Sequence, residues 1–474
     1  MKKIRRILLA AVAAVLCYIL AGAMIPFVRQ PEVTEETKEQ FDQMEFYGQE
    51  TGGERAAILS DNVEALAERI RLISCARERI ILSTFEFRSD ESGKDMLAAL
   101  LAAADRGVQV QILMDGVPAF KNLQLPDDPC FQALSSHGNV QIAIYNPVSL
   151  LKPWKLMGRL HDKYLIADDT AYILGGRNTY DFFLGDYGDY KNYDWDVLIY
   201  GEDSGPGESM SALLDYFSEV WEMPLCRIWK DDPSLETRRR VADARKMLEE
   251  RYADLQKAHP DWFEPCNYLE MTKEVNHIEL LANPTHCYAK EPVVFYEMTE
   301  LMKQAGEEVR FHTPYIICDD WMLQRLAEVC ESVKDVVMMT NSAANNGNPF
   351  GAMDYRKNRA DILKTGVSIL EYDGGVSYHG KCFVIDDRLS GIGSFNWDMR
   401  SAYIDTEIML VIDSGQINED MRLEMAEYEK KALTVLDEDT VIVPEGMTAQ
   451  RDSLLERFLL ELMSIFAGWA RFLM

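Results

Sequence analysis

Two segments of this chain repeat one arrangement of side chains that could handle a phosphate: RLHDKYLIADDTAYILGGRN from Arg159 and SYHGKCFVIDDRLSGIGSFN from Ser377. Each has His, one residue, Lys, four residues, Asp, then six residues, Gly, a small residue, one residue and Asn. The first set is His161, Lys163, Asp168, Gly175, Gly176 and Asn178; the second is His379, Lys381, Asp386, Gly393, Ser394 and Asn396. An imidazole can attack phosphorus or move a proton, an ammonium can hold nonbridging oxygens, and a carboxamide can steady developing charge. A lone His-x-Lys says little, because a single histidine on a strand is more often a satisfied core residue. Two copies with identical spacing to Asp, Gly and Asn weigh heavily for catalysis.

The apolar residues after each His-x-Lys read as strands, where side chains two apart share a face, so His and Lys point together. A second short strand near Tyr172 to Leu174, or Gly391 to Ile392, would bring each Asn beside them after a tight glycine turn. Upstream, Ile80 to Leu82, a helical stretch near Asp95 to Ala104, and Val108 to Met114 form a strand, helix, strand unit of a parallel sheet. Val309 to Tyr315, Trp321 to Cys330 and Val336 to Thr340 repeat that unit about half a chain later. A period this long predicts two related α/β domains rather than a solenoid. Glu86 and Tyr315, at equivalent strand ends, are expected to line the pocket. The domains are placed at 56–225 and 286–415, with a membrane anchor or signal segment over 1–30 and a polar acidic linker over 31–55. A charged connector over 226–285, with a solvated helix from Ser234 to Ala258, and a C-terminal extension over 416–474 complete the chain.

Composition narrows the partners. The 474 residues carry 49 Lys and Arg against 78 Asp and Glu, a formal charge of -29 that argues against nucleic acid as substrate. With 47% hydrophobic residues the chain can bury a sizeable core. Its nine cysteines are scattered singly, which indicates neither a zinc site nor a redox pair and leaves disulfides open. His137, His259, His277, His286 and His312 have no Lys two residues on and read as structural or solvent-facing.

Attachment to a bilayer would rest on the termini. Lys2, Lys3, Arg5 and Arg6 precede an uncharged run from Ile7 to Val28, long enough at about 1.5 Å per residue to cross a hydrocarbon core of about 30 Å. The basic flank should stay cytoplasmic, placing the catalytic body on the extracytoplasmic face. Ala21-Gly22-Ala23 also resembles a signal-peptide cleavage site, but the run exceeds a usual signal core, which favours an uncleaved anchor. Leu455, Phe458, Leu459, Leu462, Phe466, Trp469 and Leu473 recur at helical spacing and predict an amphipathic C-terminal helix, lying on lipid or docked on the protein's own core.

With its two HxKxxxxD segments, each followed by a Gly-rich stretch ending in Asn, the chain resembles the phospholipase D superfamily from about Ala57 to Asp413. GGRNTYDFF from Gly175, the Trp195-Asp196 pair, TNS from Thr340, DYRK from Asp354 and GSFNWDMRSAYIDTE from Gly393 are most similar to bacterial cardiolipin synthases of the type C-like branch. The resemblance implies two α/β/α sandwich domains with mixed sheets about a pseudo-twofold axis, and no metal or cofactor. It implies that His161 attacks phosphorus to give a phosphohistidine while His379 serves as acid and then base. It further implies that Lys163, Lys381, Asn178 and Asn396 hold the phosphoryl oxygens and that Asp196 and Glu407 orient the histidines. Asp168 and Asp386 would be structural, and Gly176 opposite Ser394 would make the pocket asymmetric.

The activity expected from the resemblance is phosphatidyl transfer, forming cardiolipin from phosphatidylglycerol and a second phospholipid, which could be phosphatidylethanolamine. Hydrolysis to phosphatidic acid, as by a phospholipase D, is the alternative left open by the motifs. A nuclease is disfavoured by the acidity, and an inactive lipid-binding scaffold by two complete His, Lys and Asn sets.

Overall fold

The computed structural model describes residues 2–124, 127–201, 205–451 and 468–474. Within them lie two sheets of nine strands each. At the centre of the first, Arg79–Thr84, Gln109–Asp115 and Val140–Tyr145 run parallel, while Tyr164–Ala167, Ala171–Gly175, Asp196–Gly201 and Glu54–Leu59 continue it antiparallel. The second repeats the plan: Glu308–His312, Asp335–Asn341 and Ser368–Tyr372 are parallel, and Cys382–Ile385, Leu389–Gly393, Ile408–Asp413 and His277–Ala282 follow antiparallel. The duplicated mixed α/β fold read from the sequence is therefore present. Even the caps are duplicated: Asp90 accepts from Gly93 N at the start of Glu91–Asp105, and Asp319 from Met322 N at the start of Asp320–Ser332.

Each sheet buries its outer face under its own helices, and a third core fills the space between the sheets. There Ile166, Leu174, Val197 and Ile199 of the first sheet meet Val384, Ile392, Leu410 and Ile412 of the second. These residues alternate along their strands with those facing the outer cores, so each central strand is apolar on both faces. The two motif hairpins are thus fixed back to back in the middle of the molecule.

Two linking segments differ from expectation. The polar acidic linker does not hang free: its Phe41 and Phe46, with Phe27 at the end of the apolar run, are buried in the second-half core. Each contributes about 1.5–3 kcal/mol by leaving water. The connecting helix, Arg239–Ala258, is not fully solvated either, since Val241, Ala244, Leu248 and Leu255 are buried and it packs on Glu91–Asp105 and Pro129–Ser135. Its charges cover one face only, and the amphipathic stripe was obscured by their density. Strands from Glu54 to Glu274 join the first sheet and strands from His277 to Ile442 the second, so the joint falls between Glu274 and His277.

The helix Lys2–Met24, here α1, leads into the buried Phe27. The span Lys3–Phe27 is long and apolar enough to cross a membrane, and none of its most apolar window is covered by the body, which points to association with a membrane. The amphipathic stripe expected from Leu455 lies largely outside the described residues. Its last turn, Gly468–Leu473, sets Phe472 and Leu473 against the second-half core while Trp469 stays exposed. All nine cysteines are unpaired.

Candidate active site

The motif aspartates explain why each hairpin is so tightly placed. Asp168 and Asp386 sit at the hairpin turns with φ of 53° and 47°, a region open to Asp at modest cost. The Asp168 carboxylate accepts from the backbone N–H groups of Arg77, Glu78 and Arg79, and Asp386 from Gly306, Glu307 and Glu308. They hold each hairpin to its neighbouring strand and face away from the histidines. Gly175 and Gly393 have ordinary negative φ, so no special glycine turn is needed. Their requirement is space: a Cβ at Gly175 would lie 2.2 Å from Trp195 O, and one at Gly393 2.2 Å from Ile408 O.

From the hairpins the two halves exchange segments. Leu160, before His161, forms a parallel bridge with Thr406, before Glu407. Reciprocally, Ser377–Tyr378, before His379, pairs with Asn192–Tyr193, before Asp194. Each histidine therefore receives its carboxylate from the other half. His161 Nδ1 lies 2.8 Å from Glu407 Oε1, and His379 Nδ1 lies 2.6 Å from Asp194 Oδ2. A proton on Nδ1 shared with the carboxylate leaves Nε2 of each ring for a substrate.

Asp196 does not take the place expected of it. It lies in register with Gly175, on the opposite side of its strand from Asp194, and pairs with Arg69 at 2.9 Å and Arg177 at 3.1 Å. Its equivalent in the second half, in register with Gly393, is Met409, whereas Asp194 corresponds to Glu407. The signal was in YDWD, residues 193–196, but a longer loop after Asn178 hides the correspondence from residue counting. The Gly176 and Ser394 difference follows from the same pair. Ser394 Oγ donates to Glu407 Oε2, whereas a Cβ at Gly176 would come within 2.2 Å of Asp194 Oδ1. The shorter Asp places its carboxylate where a serine side chain would stand.

Both histidines open into one cavity of about 430 Å³ lined by residues of both halves, including Asn178 and Asn396. The side chains of His161 and His379 keep 14% and 20% of their surface exposed while Glu407 and Asp194 are fully buried, so the rings face the cavity and the carboxylates lie behind them. Lys163 and Lys381 are buried beside them. Asn178 Oδ1 accepts from Glu86 N, and Asn396 Nδ2 donates to Tyr315 Oη at 3.2 Å, so both strand-end residues do line the cavity. Sequence reading missed the aromatic wall. Phe85 meets His161 edge-on and Phe183 meets His379 likewise, with Tyr180, Phe182 and Tyr190 beyond. The second half faces them with Asn346, Asn348, Asp398 and Arg400.

Burial, reinforced by Lys163, holds His161 well below the usual imidazole value, and burial with Lys381 brings His379 to about 4 against the support of Asp194. Burial also lowers Lys163 to about 8 and lowers Lys381. The carboxylates diverge. Burial raises Glu407 to about 7, whereas for Asp194 the pull of Lys381 and His379 overcomes burial and holds it at about 2. Folded Glu407 thus binds its proton more tightly than the unfolded chain, whose value is about 4.5, so the stability it adds is complete below about 4.5 and lost as pH rises through about 7. Glu407→Gln should therefore raise the melting temperature relative to the native protein by about 2 °C or more at pH 8.5 and by less at pH 5, while lowering activity. A melting difference that does not widen with pH would show that Glu407 is ionised throughout.

His137, His277 and His312 are occupied structurally. His312, buried, shares its ring nitrogens with Tyr378 Oη and Glu429 Oε1, each at 2.9 Å. His137 pairs with Asp105 and His277 with Glu279.

A duplicated mixed-sheet fold with paired His and Lys residues across one pocket defines a class of phosphoryl-transferring enzyme. The family described as cardiolipin synthase, PLD-like domain, matches residues 70–221 and 298–428, and the chain belongs to it. Cardiolipin synthase C of Escherichia coli (strain K12) is 25% identical over 421 residues, covering 78% of this chain and 84% of that one. An uncharacterized protein of Helicobacter pylori (strain ATCC 700392 / 26695) is 26% identical over 429 residues, 80% of each chain. The crystal structure of phosphatidylserine synthase from Haemophilus influenzae Rd KW20 superposes with a TM-score of 0.64 at 16% identity, over 93% of this chain and 99% of that one, and so shares the fold. This chain is a phospholipase D-type phospholipid phosphatidyltransferase.

Proposed function

We propose that the enzyme forms cardiolipin from phosphatidylglycerol and a second phospholipid, phosphatidylglycerol or phosphatidylethanolamine, through a phosphohistidine on His161. The observation that carries this is the reciprocal crossing of His161 with Glu407 and His379 with Asp194 over one cavity. His161 Nε2 attacks phosphorus, and the departing headgroup oxygen, of glycerol from a phosphatidylglycerol donor or of ethanolamine from a phosphatidylethanolamine donor, takes a proton from His379. His379 then removes the proton from the acceptor hydroxyl, whose oxygen attacks phosphorus and releases His161.

The assignment of roles rests on electrostatics. His161, the more strongly depressed ring, is neutral and ready to attack. His379, backed by an ionised Asp194, is the ring that an entering phosphodiester anion more easily brings to its protonated form. Lys163 and Lys381, with Asn178 and Asn396, would hold the nonbridging oxygens. The polar wall of the second half suits a glycerol headgroup, while the aromatic wall of the first suits the glycerol ester region of the donor. The cavity is of small-ligand size, so acyl chains must lie outside it. In this reading α1 crosses the bilayer with its basic end cytoplasmic and the catalytic body on the other face.

Full-length protein in vesicles with labelled phosphatidylglycerol, with and without phosphatidylethanolamine, is expected to yield cardiolipin. Phosphatidic acid as the sole labelled product would make water the acceptor and the enzyme a phospholipase D.

A further inference from the structure

The loop between Val140–Tyr145 and His161 is unusual in a body so acidic, because it presents bare apolar side chains beside α1. Leu150 is 57% exposed, Leu151 82% and Trp154 38%, with Lys152 and Lys155 between and after them. The loop is fastened to the helix at two levels. Tyr18 Oη donates to Leu151 O at 3.0 Å, and Pro153 lies so close to Gly22 that a Cβ there would come within 2.4 Å of Pro153 Cγ. Small residues allow such contact between a membrane helix and its neighbour.

Depth along the helix decides where this loop sits. From Arg6, the last basic residue before the apolar run, to Tyr18 is roughly 18 Å, and to Gly22 roughly 24 Å, at 1.5 Å per residue. Both fall short of the roughly 30 Å of a hydrocarbon core. If α1 spans the bilayer, the level at which the loop touches it is inside the lipid. We infer that Leu150, Leu151 and Trp154 insert into the outer leaflet beside α1, a second attachment that seats the mouth of the active site on the membrane. The inference rests on α1 being a membrane span. Lys152 and Lys155 can extend their ammonium groups outward to anionic headgroups.

The same loop is wired to the site. Asn146 Nδ2 donates to Lys155 O and Gly158 O, and Arg159 Nη1 returns to Asn146 O, which fixes the loop a few residues from His161. Arg400, which lines the cavity, donates to Met157 O and to Leu473 O and so joins the loop to the C-terminal turn that carries exposed Trp469. Chains excluded from the cavity would then remain in lipid while the headgroup reaches the histidines.

Full-length protein in phosphatidylglycerol and phosphatidylethanolamine vesicles tests this in three ways. Brominated acyl chains should quench Trp154, seen as less fluorescence lost in the Trp154→Phe protein than in the native one. The Leu150→Glu, Leu151→Glu double variant should lose roughly tenfold or more of its activity on vesicles yet keep it on monomeric short-chain phosphatidylglycerol. Resistance to carbonate extraction reports on α1 separately. Protein that resists extraction but shows no Trp154 quenching, or unchanged vesicle activity in the double variant, overturns the loop insertion alone. Extraction by carbonate overturns the span and the inference with it. Trp154 shielded from brominated lipid by a cross-linkable second copy also overturns it. If the double variant fails to fold, the Trp154 comparison decides.

Discussion

Replacing His161 by alanine should lower phosphatidyl transfer by about 10⁴-fold or more, since the proposed nucleophile is removed and His379, the other ring in the cavity, serves as acid and base in this scheme. His379→Ala should be comparably inactive on phosphatidylglycerol, but for a different reason. A phosphodiester with a nitrophenol leaving group needs no acid for the first step. On that substrate His379→Ala should release nitrophenol in a burst and retain a phosphorylated histidine, because the base for the second step is missing. His161→Ala should give neither burst nor adduct. Rapid mixing and mass analysis of the intact protein would check both. An adduct in His161→Ala and none in His379→Ala would exchange the two roles, and none in either would remove the covalent mechanism.

Asp196→Ala should cost about 3–5 kcal/mol of stability, enough to leave little folded protein, because it strands two buried guanidinium groups. Arg69 and Arg177 are both buried around that carboxylate, and Arg177 also donates to Leu59 O and Ser60 O, which ties the first strand to the active-site loop. Asp194→Asn should behave in the opposite way. It keeps the shape and the contact to His379 but loses the charge that supports an imidazolium, so activity should fall by about 10²-fold or more with folding retained. Denaturant unfolding and transfer assays on the two variants separate a folding role from a catalytic one. Equal stability of Asp196→Ala and the native protein would show that the paired arginines find other partners.

These two aspartates mark the limit of what residue spacing can say. Both half-sites were legible because His, Lys, Asp, Gly and Asn lie in or directly beside one hairpin, a short span in which backbone geometry is local. The duplicated strand, helix, strand units were legible for the same reason: alternation and helical periodicity are local patterns. The apolar run of α1 could be read from composition and length. The docked linker could not, since its two buried phenylalanines, Phe41 and Phe46, lie among acidic residues and only the second-half core gives them somewhere to go.

By itself, then, the sequence determined the identity and spacing of two matching His, Lys and Asn sets, the α/β duplication and an apolar helix near the start. Which carboxylate serves which histidine was decided only in three dimensions. Packing the two sheets back to back brings the residues before Glu407 against those before His161, and the residues before Asp194 against those before His379. Asp194 lies between the strands Asn192–Tyr193 and Asp196–Gly201, where its carboxylate meets His379, whereas Asp196 opens the second strand and its carboxylate meets Arg69 and Arg177. Burial, which neighbouring sequence cannot reveal, holds both imidazoles low and raises Glu407, while the positive charge of Lys381 and the contact with His379 keep the equally buried Asp194 low.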